Sequence, residues 1–151
     1  MTRPTRMPVS RAVHTVLLFG LAAAPAAAQT RWERQIHEQL RVISADLAPQ
    51  GWRYAGSPFT GQLGQGDRET LRIALREGTR YALVALCDED CRDLEVTVLG
   101  EDDAVLARSA GWGDRPLLEM QPRATGKYRV VVTMAHCASG PCAYGVGVFM
   151  K

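Results

Sequence analysis

The first periodic segment of the chain has the residue spacing of a helix. Between residues 30 and 48, apolar side chains recur at steps of three or four, which puts them on one side of a helix. Thr30 and Glu33 have the spacing of a capping box, and Pro49 and Gly51 end the segment. We expect this helix to pack on its own domain, and recruitment of a partner is the alternative. The apolar stripe consists of Trp32, Ile36, Leu40, Ile43 and Leu47.

From Gly51 onward the apolar positions alternate with a period of two, and turn residues follow at short intervals. Short strands separated by turns about every 8–12 residues are typical of an antiparallel β-sandwich. We therefore predict an all-β, jelly-roll-like sandwich of seven or eight strands in residues 51–151, preceded by one N-terminal amphipathic helix in residues 29–50. The strand segments cover residues 70–76, 81–86, 94–98, 105–107, 117–120, 128–134 and 144–150.

Residues 1–28 have the composition of an export signal. Three arginines precede an apolar run that is too short for a membrane span and ends in three alanines before Gln29. An uncleaved membrane anchor is the alternative, and Pro25 argues against it. We expect a periplasmic or secreted product that has no membrane anchor after cleavage.

The charge of the remaining chain is close to neutral. Without the three arginines of the signal, 15 basic and 16 acidic residues remain. Such a balance gives no sign of nucleic-acid binding. Eight of the acids lie between residues 88 and 103, where Arg92 is the only base. This cluster favours a cation over an anion as a local partner.

Four cysteines, Cys87, Cys91, Cys137 and Cys142, indicate disulfides. An even number of cysteines in a small exported domain is typical of oxidised pairs. The turn-like spacings favour the local pairs, 87 with 91 and 137 with 142. The loop-entropy model assigns about 2 kcal/mol to each local ring and about 4 kcal/mol to crossing pairs, so the connectivity stays open.

A zinc site is the alternative use of these cysteines, with His136 as a further ligand. Structural zinc usually has C-x2-C pairs, and thiolate ligands are poorly suited to an oxidising compartment. A catalytic redox pair would have C-x-x-C at the start of a helix. Disulfides are therefore the preferred interpretation, and a small metal-dependent enzyme or zinc-binding protein is the alternative function.

The acidic turns contain candidate ligands for calcium. Asp88, Asp90 and Asp93 offer carboxylate oxygens, which hard cations prefer, and residues 101–103 add more if the two turns approach each other. Arg92 stands where an EF-hand loop would have an oxygen ligand. A solvated acidic turn is the commoner arrangement, and no other cofactor is expected.

The sequence contains no recognisable catalytic set. Its serines lie outside a G-x-S-x-G elbow, and its paired carboxylates lie on predicted turns, where they lack the burial that separates pKa values. We therefore predict that the protein is not an enzyme.

Three aromatic residues lie in loop-like stretches of the sequence. Trp52, Tyr54 and Trp112 would bind a sugar or a peptide if their rings were exposed. Residues of this kind more often close the open ends of a sandwich.

Three segments carry a family resemblance. They are GQLGQGD, REGTRYALVALCDEDCRDLEVTV and RPLLEMQPRATGKYRVVVTMAHCASGPCAYGVGV. In this order they resemble the bacterial pre-peptidase C-terminal (PPC-like) domain, over roughly residues 59–150. The resemblance implies a jelly-roll-like sandwich with a non-catalytic accessory or binding role, and collagen-binding relatives hold calcium. Asp93-Leu94 matches half of the family's Asp-Leu-Asp-Leu strand, whereas Glu95-Val96 departs from it.

These observations together predict a non-catalytic, exported binding or accessory module that two disulfides stabilise. Its partner would be an exported protein, a peptide or a polysaccharide surface. An inhibitor or chaperone-like partner of an exported protease is a further hypothesis.

Overall fold

The computed structural model describes residues 31–109 and 113–151. Helix α1 spans Arg31–Leu47, and one 3-10 turn at Ala48–Gln50 follows it. Gly51 ends this segment in the left-handed conformation, at φ 87°, which glycine adopts without steric cost. The predicted helix is therefore confirmed. The predicted signal segment and the capping residue Thr30 lie outside the described residues.

Nine strands follow in the part of the chain that the structure describes, against the seven or eight predicted. The two that the sequence did not indicate are β1 and β2, because β1 has two residues and β2 has little alternation. The strands are β1 Arg53–Tyr54, β2 Phe59–Leu63, β3 Arg68–Leu75, β4 Tyr81–Cys87, β5 Cys91–Leu99, β6 Val105–Arg108, β7 Leu117–Met120, β8 Gly126–Cys137 and β9 Cys142–Met150.

The strands form two antiparallel sheets. In sheet A, β9 pairs with β1 and β2 on one side and with β4 on the other, and β4 pairs with β7. Sheet B has the order β3-β8-β5-β6. From β2 to β5 successive strands alternate between the sheets, and the two orders are those of a jelly roll. The prediction of an all-β, jelly-roll-like sandwich is confirmed.

Two apolar layers surround sheet A. The main core lies between the sheets and includes the alternating residues of β8 from Tyr128 to Met134. The second layer lies between sheet A and α1, with Ile36 and Leu40 of the helix packed on Val84, Leu86 and Phe149. Because α1 covers the outer face, β4 is buried on both faces and β9 nearly so.

Two glycines of β9 let the helix approach the sheet closely. A Cβ atom on Gly145 would lie 2.4 Å from Cγ2 of Ile36, and one on Gly147 would lie 2.7 Å from Cδ2 of Leu40. Both distances are shorter than van der Waals contact, so no larger residue fits without movement of α1. In this strand the glycines face α1 and leave space for it, whereas the valines between and after them, Val146 and Val148, face the core between the sheets.

Among the described residues, no helix is both long and apolar enough to cross a bilayer.

Candidate binding cleft

Both disulfides lie at one rim of the sandwich. Cys87 at the end of β4 is bonded to Cys91 at the start of β5, and Cys137 at the end of β8 is bonded to Cys142 at the start of β9. These are the local pairs that the turn-like spacings favour. Because β4 and β9 belong to sheet A, and β5 and β8 to sheet B, each bond joins the two sheets.

The bonded sulfurs exclude the alternative zinc site. A disulfide sulfur is not a thiolate, so none of the four cysteines can act as a metal ligand beside His136. His136 itself is exposed near the end of β8, opposite Asp93 in the register of the sheet. The zinc hypothesis is therefore wrong for the folded, oxidised chain.

Hydrogen bonds within the protein hold the first acidic turn. Asp88 Oδ2 accepts a hydrogen bond from the N–H of Ala143 at 2.7 Å, and the N–H of Asp88 donates to the carbonyl of Ala143 at 3.0 Å. Asp88 Oδ1 is buried and has no hydrogen-bond partner among the described residues. Asp93 is 4% exposed, and its Oδ1 accepts from the N–H of Gly113 at 3.2 Å. Both carboxylates thus contact backbone groups near the disulfides.

The structure does not bring the two acidic turns together. Residues 101–103 follow the far end of β5, a strand of nine residues that is about 30 Å long. Within residues 31–109 and 113–151, no three His, Cys, Asp or Glu side chains are grouped to hold a metal ion. Calcium binding at Asp88, Asp90 and Asp93 stays a prediction.

The aromatic residues near the N-terminus lie under the helix. Trp52 is 6% exposed, and the guanidinium of Arg80 and the ammonium of Lys151 lie 5.5 and 5.9 Å from its ring centroid. The ring of Tyr54 lies 5.0 Å from that of Phe149. Trp52 has no accessible ring face for a ligand, because it is part of the layer between α1 and sheet A. Trp112 lies outside the described residues.

A cleft opens between the sheets at the rim opposite the disulfides. Its volume of about 760 Å³ lies within the range of about 300–1,000 Å³ that is typical of ligand sites. It is surrounded by Arg53 of β1, Phe59 at the start of β2, the ends of β3 and β9, and the starts of β4 and β8. The apolar residues that line it include Ala55, Phe59, Ile73, Leu75, Tyr81, Val148 and Met150.

The charged residues that line this cleft are all basic. They are Arg53, Arg72, Arg76, Lys127 and Lys151. The ammonium of Lys151 lies near the Trp52 ring. The other four residues are exposed and form no ion pair with a described residue. The rim of the cleft therefore has four cations without an ion pair to a described residue, although the carboxylate of Glu101 lies close to Gly126 of the lining, 3.7 Å from the position of an added Cβ.

Some arginines away from the cleft have carboxylate partners, whereas the exposed Arg68, Arg92 and Arg123 form no ion pair with a described residue. Arg80 contacts Glu119 at 3.0 Å, Arg108 contacts Glu95 at 3.4 Å, and Arg129 contacts Asp103. Lack of an ion pair is therefore not confined to the cleft, and the distinctive feature of the cleft is that four such cations line one apolar opening.

Hydroxyl groups fix the turn beside the cleft. Tyr81 Oη accepts a hydrogen bond from the N–H of Arg76 at 3.1 Å, and Thr125 Oγ1 accepts from the N–H of Glu77 at 3.0 Å. Both hydroxyls act here as acceptors, so each keeps a proton that it can donate to a ligand in addition to the basic side chains.

This cleft is not among the sites expected from the sequence. Its basic residues come from β1, β3, the turn after β3, β8 and the residue after β9, so no local run of charge indicates them. The acidic cluster of residues 88–103 favoured a cationic partner, whereas the cleft that the fold assembles is basic. Arg72 and Arg76 had a signal, as polar positions in the predicted strand of residues 70–76.

Comparisons with protein-family models and with curated proteins find no match. Among solved structures, PliG of Aeromonas hydrophila, a periplasmic inhibitor of g-type lysozyme, is similar over 63% of this chain and 85% of its own, with 16% identity and a TM-score of 0.49. The pre-peptidase C-terminal domain of a collagenase from Bacillus anthracis is similar over 61% of this chain and 87% of its own, with 16% identity and a TM-score of 0.49. The second structure represents the family that the sequence motifs resemble.

Proposed function

We propose that the protein is an exported, non-catalytic binding module and that its cleft binds an anionic partner. The observation that carries this proposal is the set of unpaired cations around an apolar cleft whose lining contains no acidic side chain. Like charges gathered at one site repel each other, and an anion removes that repulsion. Arginine guanidinium groups also bind carboxylates in a bidentate geometry.

The apolar lining adds a second requirement for the partner. Phe59, Ile73 and Met150 offer apolar surface inside the cleft, beneath the basic rim. Burial of apolar groups contributes about 25 cal/mol per Å² of surface removed from water. The preferred partner therefore has apolar groups next to its negative charges.

The chemistry of the cleft favours binding over catalysis. Arginine and lysine stay protonated near neutral pH, so they attract anions but do not exchange protons readily. The hydroxyls of Tyr81 and Thr125 accept hydrogen bonds from the backbone of the neighbouring turn.

Export is supported by the two disulfides, which persist in oxidising compartments. The predicted signal in residues 1–28 agrees with the same location. We therefore assign the partner to the periplasm or the extracellular space.

The proposal is tested by titration of fluorescently labelled poly-L-glutamate at low ionic strength. We expect the double variant Arg53→Gln, Arg76→Gln to lose about tenfold in affinity, or ~1.4 kcal/mol. Because the cations of the cleft are exposed, added salt should weaken binding to the parent protein.

The matched control is the double variant Arg41→Gln, Arg92→Gln, which changes the net charge equally. Arg41 lies on α1 and Arg92 at the disulfide rim, so neither lines the cleft. We expect its affinity to stay near that of the parent protein. Equal losses in the two variants, or no binding by the parent protein, would contradict the proposal.

A further inference from the structure

We infer that the anionic partner is a polypeptide, and that an extended acidic segment of it binds as an additional strand along β3. This inference rests on the proposed function, because it specifies which ligand occupies the same cleft. It depends on three features of β3: a free edge, the direction of its backbone groups, and the alternation of its side chains.

The first feature is the free edge. β3 pairs with β8 in an unbroken register from Arg68 opposite Thr133 to Leu75 opposite Gly126, and it has no strand on its other side among the described residues. Its start is covered, because a Cβ on Gly61 of β2 would lie 2.9 Å from the carboxylate of Glu69. From Arg72 onward β3 borders the cleft.

The second feature is the direction of the backbone groups. Just before β3, the N–H of Met134 in β8 donates to the carbonyl of Asp67 at 3.0 Å. Hydrogen-bonded and non-bonded pairs alternate along an antiparallel ladder. The N–H and C=O groups of Leu71 and Ile73 therefore point toward β8, and those of Thr70, Arg72 and Ala74 point to the free edge. None of the latter groups bonds to a described loop or to another strand.

The third feature is the alternation of side chains. Leu71, Ile73 and Leu75 are buried, whereas Thr70, Arg72 and Ala74 are exposed on the outer face of sheet B. An added strand would continue both faces of the sheet, because side chains of paired strands share a face. Acidic residues would then lie opposite Arg72, and the apolar residues between them would enter the cleft.

The charges on β3 argue against a second copy of this chain as the occupant. In a symmetric β3–β3 pair, Arg72 of one copy would lie opposite Arg72 or Arg68 of the other copy. Like charges directly across two strands are destabilising. Charged residues are a common protection of edge strands against self-association. The same charges attract an acidic strand, which joins a free edge by the mode known as β-augmentation.

The test uses a labelled octapeptide of alternating glutamate and valine, and two N-methylated versions of it. In an antiparallel addition, the glutamate opposite Arg72 directs its N–H toward β3, so methylation of the glutamate nitrogens should weaken binding at least about tenfold. Methylation of the valine nitrogens should leave the affinity near that of the parent peptide. Equal affinities of the two methylated peptides would overturn strand addition.

Protein variants supply the second arm of the test. Ala74→Pro removes an N–H of the free edge without removing a bond to β8, and edge strands tolerate proline. We expect Ala74→Pro to lose octapeptide binding while Ala74→Val keeps it, with both variants folded by circular dichroism. If both variants bind equally while Arg53→Gln, Arg76→Gln abolishes binding, the cleft binds anions without strand addition. If no acidic probe binds the parent protein, the proposed function fails as well.

Discussion

Two tyrosines place their hydroxyl groups in contrasting surroundings. Tyr144 has no exposed surface, and its Oη donates a hydrogen bond to Glu69 Oε2 at 2.6 Å. Tyr54 Oη is also buried, but it has no hydrogen-bond partner among the described residues. Burial raises the pKa of Tyr54 to about 12, and burial together with the Glu69 bond raises the pKa of Tyr144 above its ordinary value.

We expect Tyr54→Phe and Tyr144→Phe to have different effects on stability. Removal of the unpartnered hydroxyl of Tyr54 should leave the free energy of unfolding at neutral pH unchanged or raise it, because a buried polar group without a partner is destabilising. Loss of the bond from Tyr144 to Glu69 should lower it by about 1 kcal/mol. Denaturant unfolding of the two variants and the parent protein measures both values.

The same three proteins test the pH dependence. Below about pH 10 a tyrosine keeps its proton in the folded and the unfolded chain, so the raised pKa has no effect. Above that pH the unfolded chain loses the proton first, and the free energy of unfolding falls until the pH passes the folded pKa of Tyr54, about 12. Tyr54→Phe should reduce this alkaline loss. An identical loss in the variant would contradict the assignment.

Whether an aromatic residue is buried or exposed depends on neighbours that can lie far away along the chain. Trp52 and Tyr54 stand in a loop-like stretch, which allowed either a buried or a ligand-binding position. The burial of Trp52 and the partial burial of Tyr54 follow from α1, which packs on sheet A beside them. Sequence periodicity identifies the apolar face of a helix, but not the surface that the face contacts.

At the scale of elements, the packing of α1 on β9 depends on the absence of side chains. Gly145 lies under Ile36, and Gly147 lies under Leu40 and beside Tyr54. Neither glycine has a positive φ, so their role is to provide space. The helix is thus fixed in position by a groove in the sheet as well as by its own apolar stripe.

We expect Gly145→Ala to destabilise the protein by about 1–3 kcal/mol, as for other overpacked cores. The added methyl group would overlap Cγ2 of Ile36, so α1 must shift. In the background of Ile36→Ala the same change should cost less, because the two residues are in contact. Thermal or denaturant unfolding of the single and double variants gives this coupling.

Gly126→Ala is the control for that comparison. Its added Cβ would lie 3.7 Å from the nearest atom outside its chain neighbours, Oε1 of Glu101, which is an ordinary contact. A similar loss of stability in Gly126→Ala and Gly145→Ala would show that the conformational effect of glycine, and not contact with the helix, is the cause.

At the scale of the whole molecule, the two rims of the sandwich have different properties. The disulfide rim joins the sheets covalently, whereas the opposite rim is an open cleft with unpaired cations. This separation keeps the stabilising bonds away from the candidate ligand. Stability and binding should therefore respond to different substitutions.

We expect Cys137→Ser, Cys142→Ser to lower the free energy of unfolding by about 2 kcal/mol, the loop-entropy value for a ring of this size. Its affinity for poly-L-glutamate should stay near that of the parent protein, because the bond and the cleft lie at opposite rims. Denaturant unfolding and the titration described above measure the two quantities. An equal loss of binding would show that the rims are coupled.

The sequence by itself determined the class of the fold. The helical stripe, the period-two segments and the cysteine spacings are local patterns, and local backbone geometry responds to them directly. The buried run of residues 81–86 also corresponds to a strand covered on both faces.

Only the tertiary structure decided the site. The basic cleft combines Arg53, Arg72, Arg76 and Lys127, which come from distant parts of the chain, because the jelly-roll connections bring their strand ends to one rim. The acids that dominate the local charge pattern lie in two turns at opposite ends of β5, and Glu101 of the second turn comes close to Gly126 at the edge of the cleft. A charge pattern along the chain does not determine a charge pattern in space, since the sheet order sets which residues become neighbours.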